Sequence, residues 1–329
     1  WRRWSVRHGQ YKFLLSLAIV ALVLVSLTPG VGTAQGTKLV MAFVPSMEAQ
    51  KVLATGATLA RMMELSTGYK IEATVPTSYA ATIEALCAKR VDIAWLAPFS
   101  YVIAKAKCNA DVRLITVRFN LPYYRSQIMV RADSGITKIE QLKGKKFAFT
   151  DPASTSGYLF PAAMLKKLGY DPDRFFSQKI FVGSHPNAVL AVYRGQVDGA
   201  ASFEDARLAV ARQFPDVLEK VKVIAYTDPI PNDTVSFGAH VPEEVKQKMT
   251  TALLKLSATP AGQEELKRLY EIQKLVDYET LVTTTWTQPD GKPLRIDRKK
   301  VPNLDAFFQP IRDVAKYLGI DLEEFIKPR

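Results

Sequence analysis

Residues 145–169 read KKFAFTDPASTSGYLFPAAMLKKLG. The apolar run Phe147, Ala148, Phe149 has the composition of a buried strand, and the Pro- and hydroxyl-rich segment from Asp151 to Gly157 interrupts it. Apolar residues then recur at helical spacing (Leu159, Phe160, Ala163, Met164, Leu168) up to Gly169, a residue suited to close a helix. The unit is strand, loop, helix. A helix start offers unpaired N–H groups and the positive end of the macrodipole, and Ser154, Thr155 and Ser156 crowd three hydroxyls onto it, with Gly157 letting a ligand approach the backbone. A tetrahedral oxyanion such as phosphate or phosphonate suits that chemistry. An ordinary N-cap needs only one of the hydroxyls, and from this stretch alone it is the simpler reading.

Outward from this unit, short apolar runs alternate with amphipathic stretches. Before it come predicted strands at 39–44, 69–75, 91–96 and 112–119, with helices at 48–67, 79–89 and 98–107; after it, strands at 179–182 and 197–202 flank a helix at 186–193. The alternation predicts α/β architecture with parallel sheets. Part of the pattern repeats at a displacement of 106 residues: TSYAATIEALCAKRVDIA (77–94) lies over GSHPNAVLAVYRGQVDGA (183–200), and Ala42-Phe43 over Ala148-Phe149. Two domains of similar construction would explain the constant spacing, and Tyr79 and His185 then hold equivalent positions at helix starts. Two extended crossings, 120–124 and 227–233, suggest a two-stranded hinge. The expected organisation is a first lobe from 37–122 completed by 232–329, and a second lobe from 123–231. The tail, with a polar insert at 288–301 and helical stretches at 304–318 and 322–326, should pack back on the first lobe.

The N-terminus carries Arg2, Arg3, Arg7 and Lys12, then an apolar run from Phe13 to Leu27, then small residues to Ala34. That is the pattern of a secretory signal peptide, either cut after Ala34 or retained as a tether. Without residues 1–34 the chain keeps 40 Lys and Arg against 32 Asp and Glu. The excess is spread along the sequence, which argues weakly for anionic ligands and against nucleic acid. Cys87 and Cys108, the only cysteines, are expected to pair in an exported chain. With His8, His185 and His240 as the only histidines and no CxxC or HxxxH, no zinc site is expected.

Five motifs in order, FVPS (43–46), SYAATIEAL (78–86), VDIAWLAPFSYV (91–102), FTDPASTSG (149–157) and IPND (230–233), resemble the phosphonate-binding solute receptors of ABC importers, within the broader group for phosphate, phosphite and phosphonate. The resemblance covers about 39–233. It implies two α/β lobes of the type II periplasmic binding protein fold, joined by two crossing strands and closing over ligand in the cleft. Carried over position by position, it implies a phosphonate cradle of Ser154, Thr155 and Ser156, helped by Tyr79, Tyr124 and His185. Neutral hydroxyls and N–H groups can hold a dianion without a deeply buried cation. It also places Glu204 and Asp233 opposite a ligand ammonium, which points to 2-aminoethylphosphonate, since two acids beside an anion repel it unless the ligand brings a cation. An alternative role for Asp233 is to accept a bond from a protonated phosphate or phosphite. Ser46, Ser78, Trp95 and Tyr123 are expected as further cleft lining.

A binding module is therefore expected: a monomeric extracytoplasmic receptor without cofactor, delivering ligand to a permease and its ATPase. A serine hydrolase would want a GxSxG elbow, and STSG lacks the first Gly; a metal-dependent phosphatase would want a ligand cluster that three His do not supply. A sensor acting through a membrane partner is the remaining alternative.

Overall fold

The computed structural model describes Trp1 and residues 38–325; the predicted signal segment, Trp1 apart, and Ile326 lie outside the described residues. In chain order the elements are β1 (Lys38–Phe43), α1 (Ala49–Thr67), β2 (Lys70–Thr74), α2 (Tyr79–Cys87), β3 (Ile93–Leu96), α3 (Pro98–Cys108), β4 (Asp111–Val117), β5 (Tyr123–Tyr124), β6 (Ser126–Arg131) and β7 (Lys146–Phe149). A π-helical turn, Thr155–Leu159, leads into α4 (Phe160–Lys167), β8 (Gln178–Phe181), α5 (His185–Tyr193), β9 (Gly199–Phe203), α6 (Leu208–Ala211), α7 (Val217–Lys220), β10 (Val221–Tyr226), β11 (Ile230–Pro231) and β12 (Thr234–Phe237). The chain ends with α8 (Glu243–Ser257), α9 (Pro260–Tyr270), β13 (Lys274–Val276), α10 (Tyr278–Thr283), β14 (Trp286–Thr287), β15 (Pro293–Leu294) and α11 (Gln309–Leu318).

Two sheets organise the molecule: six strands in the order β13-β4-β12-β3-β1-β2, and five in the order β10-β6-β9-β7-β8. Strands linked through helices run parallel, as β1 does with β2 and β3 and β7 with β8 and β9. The sheets are nonetheless mixed rather than parallel, because β6 and β12 enter directly from the crossings, without a helical return, and run antiparallel to their neighbours. The crossings pair with each other, Tyr124 opposite Ile230 and Tyr123 opposite Pro231.

The 106-residue displacement is visible in hydrogen bonds. Asp92 Oδ2 accepts from the N–H of Val40 (2.7 Å) while its own N–H donates to the Val40 carbonyl (2.9 Å). Asp198 does the same with Lys146 (2.8 and 3.0 Å). Ser78 and Ser184 cap α2 and α5, accepting from Ala81 and Asn187. Gly68 closes α1 at φ 73°, the left-handed conformation that a glycine adopts without strain. Cys87 and Cys108 form a disulfide, Cα atoms 5.3 Å apart, that ties the end of α2 to the end of α3.

The tail returns to the first lobe, where Phe307, Phe308, Ile311 and Ala315 join its core. The ring of Phe308 lies 5.0 Å from that of Tyr101, whose hydroxyl donates to Asp305. Helix α11 also touches α4 of the second lobe, Lys166 Nζ donating to the Tyr317 carbonyl (2.6 Å). The polar insert supplies the turn and second strand of the β14–β15 hairpin, β14 ending just before it.

Candidate functional site

The loops after β1, β3 and β7, the starts of α2 and α5, and the crossings converge on one cavity between the two sheets. Tyr79, the first residue of α2, is 1% exposed, and its hydroxyl is buried without a hydrogen-bond partner. Burial pushes its pKa well above the ordinary phenol value, with the Asp151 carboxylate adding to the effect, so it is a neutral donor. His185, the corresponding residue of α5, is 4% exposed. The N–H of Phe203 points at its Nδ1 (3.4 Å), which also lies 2.8 Å from Ser202 Oγ. A backbone N–H can only donate, so Nδ1 accepts and the proton sits on Nε2. Burial, and secondarily the Arg118 charge, lowers the imidazole pKa to about 3, which keeps this donor neutral.

Ser154 and Ser156, 1% and 2% exposed, stand on the cavity wall at the start of the π-helical turn. Ser154 Oγ caps that turn by accepting from the Gly157 N–H (3.0 Å), which leaves its own proton free to donate to a ligand. Tyr124, on the first crossing, reaches the cavity and interacts with the hydroxyls of Ser156 and Thr155. Ser46 lines the opposite side.

Asp233 also lines the cavity, and its partner is a residue that the sequence reading did not single out. Arg118 Nη2 lies 2.5 Å from Asp233 Oδ2, and the guanidinium packs 5.7 Å from the Tyr124 ring and 5.6 Å from that of Phe203. Arg118 is 6% exposed, with its Nε buried and unpartnered. Burial raises the pKa of Asp233 and Arg118 opposes the rise. The cavity thus holds one cation, its carboxylate partner, a second and exposed carboxylate in Glu271, and several neutral donors. Tyr270, at the end of α9, is a second missed wall residue; its hydroxyl donates to the Val44 carbonyl (2.6 Å). Arg118 left an ambiguous signal, a cation inside the predicted apolar strand 112–119, since Arg113 in the same strand reads alike and pairs with Asp111 and Glu243 instead. Tyr270 left none, because it reaches the cavity from a helix remote in sequence.

Other expected residues lie elsewhere. Thr155 is fully buried behind the wall, its Oγ1 accepting from the N–H of Phe99 (2.8 Å). Glu204 does not face the cavity with Asp233: its carboxylate takes both arms of the Arg125 guanidinium, at 3.1 and 2.5 Å. Ser78 is the α2 cap, Trp95 is 1% exposed and stacks on Phe43 at 5.6 Å, and Tyr123 packs on Phe307 at 5.0 Å. Gly157 serves packing, not ligand approach, since a Cβ there would sit 2.4 Å from Thr150 Cβ. Among the described residues no group of three or more His, Cys, Asp or Glu is placed to hold a metal ion.

Two sheet-based lobes, a pair of crossing strands and a cavity between the lobes define a type II periplasmic binding protein. Residues 41–279 match the model of the family described as ABC transporter, phosphonate, periplasmic substrate-binding protein, and the chain belongs to that family. It is 32% identical over 213 residues to the phosphate-import protein PhnD of Mycolicibacterium smegmatis, covering 60% of this chain and 66% of that protein. It is 28% identical over 265 residues to the phosphonates-binding periplasmic protein of Escherichia coli, covering 78% of each. Solved structures with the same fold include a binding-protein component of an ABC phosphonate transporter from Pseudomonas aeruginosa (TM-score 0.71, 23% identity, 86% of this chain and 87% of that one). Another is a Prochlorococcus marinus protein in complex with methylphosphonate (TM-score 0.69, 17% identity, 86% and 98%). The chain is the substrate-binding component of an importer, not an enzyme, and works with an ABC transporter outside the cytoplasm.

Proposed function

We propose that the ligand is a compact phosphorus oxyanion without an amine, phosphate or a small alkylphosphonate such as methylphosphonate. The observation that carries this reading is the ion pair of Arg118 with Asp233 on a wall whose other buried polar groups, Tyr79, Ser154, Ser156 and His185, are neutral donors, with the exposed Glu271 as its one further charge. Tyr79, His185 Nε2–H and Ser154 donate to the ligand oxygens, Arg118 supplies the charge, and Asp233 accepts from a protonated oxygen of the ligand. The amine reading needs Glu204 and Asp233 to face one ammonium. With both oxygens of Glu204 taken by Arg125, 2-aminoethylphosphonate would have to displace a guanidinium there and would find only Asp233, already paired with Arg118, beside the cavity. The relatives named for phosphate import and solved with methylphosphonate support the compact ligand. The basic and apolar pattern of 1–34, read as an export signal that is cleaved or kept as a tether, supports a periplasmic or equivalent site, and the proposed lobes are 37–122 with 232–329, and 123–231.

Calorimetric titration of the chain from Gln35 with phosphate, phosphite, methylphosphonate and 2-aminoethylphosphonate tests the proposal. Phosphate or methylphosphonate should bind at least tenfold tighter than the aminophosphonate, and Arg118→Met should weaken both by about a hundredfold, as expected for a lost charge-assisted contact of about 3 kcal/mol. Tighter binding of 2-aminoethylphosphonate, with the preference removed by Glu204→Gln, would restore the zwitterion reading.

A further inference from the structure

We infer that Thr155, the middle hydroxyl of the cavity loop, is a closure residue that caps a helix of the opposite lobe, and so sets how tightly the lobes hold together rather than what they bind. Helix α3 has no side-chain cap of its own: its N-cap position is Ala97, which has no hydroxyl or amide to offer. Thr155 Oγ1 supplies the missing acceptor from across the cleft, at 2.8 Å from the N–H of Phe99, with both groups fully buried. One residue on, Ser100 Oγ donates to the Ala153 carbonyl (2.9 Å), again from the first lobe to the second. Thr155 does not line the cavity, while its neighbours Ser154 and Ser156 do.

The same exchange recurs at the two equivalent helix starts. The N–H of Tyr79 in α2 points at Asp151 Oδ2 of the second lobe (3.5 Å), and the N–H of His185 in α5 donates to the Ser46 carbonyl of the first (3.0 Å). Three helix N-termini that converge on the cavity thus find partners in the other lobe. Opening the cleft strips α3 of its cap, so capping and closure are a single event, and protein groups share with the ligand in holding the closed form. Thr155 is a positioning residue in this sense.

Small-angle scattering on the ligand-free chain, paired with phosphate and methylphosphonate titrations and dissociation rates, tests the inference on Thr155→Val, Thr155→Ser and Ser100→Ala. Thr155→Val, which keeps the shape and leaves the Phe99 N–H without an acceptor, should enlarge the free protein's radius of gyration. It should weaken both ligands by the same factor, about tenfold, through faster dissociation. Thr155→Ser should restore the wild-type values, and Ser100→Ala, at a position that does not line the cavity, should move them in the same direction as Thr155→Val. Unchanged scattering in both Thr155→Val and Ser100→Ala, or a loss confined to one ligand, would overturn it and return Thr155 to the ligand cradle. The titrations rest on the phosphorus-oxyanion reading, whereas the scattering does not: if neither probe binds the wild type, that reading fails and the scattering still decides.

Discussion

His185 is held by one nitrogen against β9, and the cost of charging it there gives a pH dependence with a definite sign. Its pKa is about 3 in the folded chain against about 6.5 for an unperturbed histidine, so between these values the unfolded chain binds the extra proton. The stability is fully present above about pH 6.5 and is lost as the pH falls toward about 3, at up to ~1.4 kcal/mol per pH unit. Urea unfolding at pH 7 and pH 4.5 should show this loss in the wild type and a smaller one in His185→Gln. Residue type and order made Tyr79, Ser154, Ser156, Tyr124, His185 and Asp233 legible as wall residues, because each sits in or beside a loop at an element boundary. Thr155 and Glu204 stand off the wall for a reason sequence does not carry, side-chain direction: one hydroxyl of three turns to the other lobe, and one of two acids meets Arg125, which lies 79 positions away.

At the scale of elements, the paired clamps Asp92–Val40 and Asp198–Lys146 show why the repeat could be read from spacing alone. Each aspartate follows the second helix of a strand-helix-strand-helix-strand unit and closes onto the first strand of that unit, so the displacement of 106 is preserved in both bonds. Asp198→Ala should cost about 1 kcal/mol in the urea transition, the ordinary worth of a side-chain bond to a backbone N–H. Asp92→Ala should cost more, because it also strands the His240 ring, whose Nε2 lies 3.0 Å from Asp92 Oδ1. The antiparallel strands escaped the reading for a related reason: periodicity marks a strand but not its direction, and β6 and β12 take theirs from the crossings. Reducing the Cys87–Cys108 link, which spans 21 positions, should lower the unfolding free energy by about 3 kcal/mol, measured with and without reductant.

For the whole molecule, ligand binding should raise stability against unfolding by about 2.7 kcal/mol at a hundredfold excess over Kd, since only the folded chain assembles a wall from both lobes and the crossings. The packing of Phe307, Phe308, Ile311 and Ala315 into the core of the six-stranded sheet and the contact of α11 with α4 were not legible in detail, because no local pattern announces what a C-terminal helix will lie against. The pairing of Arg118 with Asp233 has a consequence for the heat of binding. These two charges cancel, His185 is neutral and the further wall charge, Glu271, is negative, so the wall side chains leave no net positive charge to balance a doubly charged oxyanion. The favoured bound species is the singly charged one, and near neutral pH phosphate must take up part of a proton to become it. That proton comes from the buffer. The apparent enthalpy of phosphate binding should therefore change with the ionisation enthalpy of the buffer, and the slope of that line counts the protons drawn into the cleft.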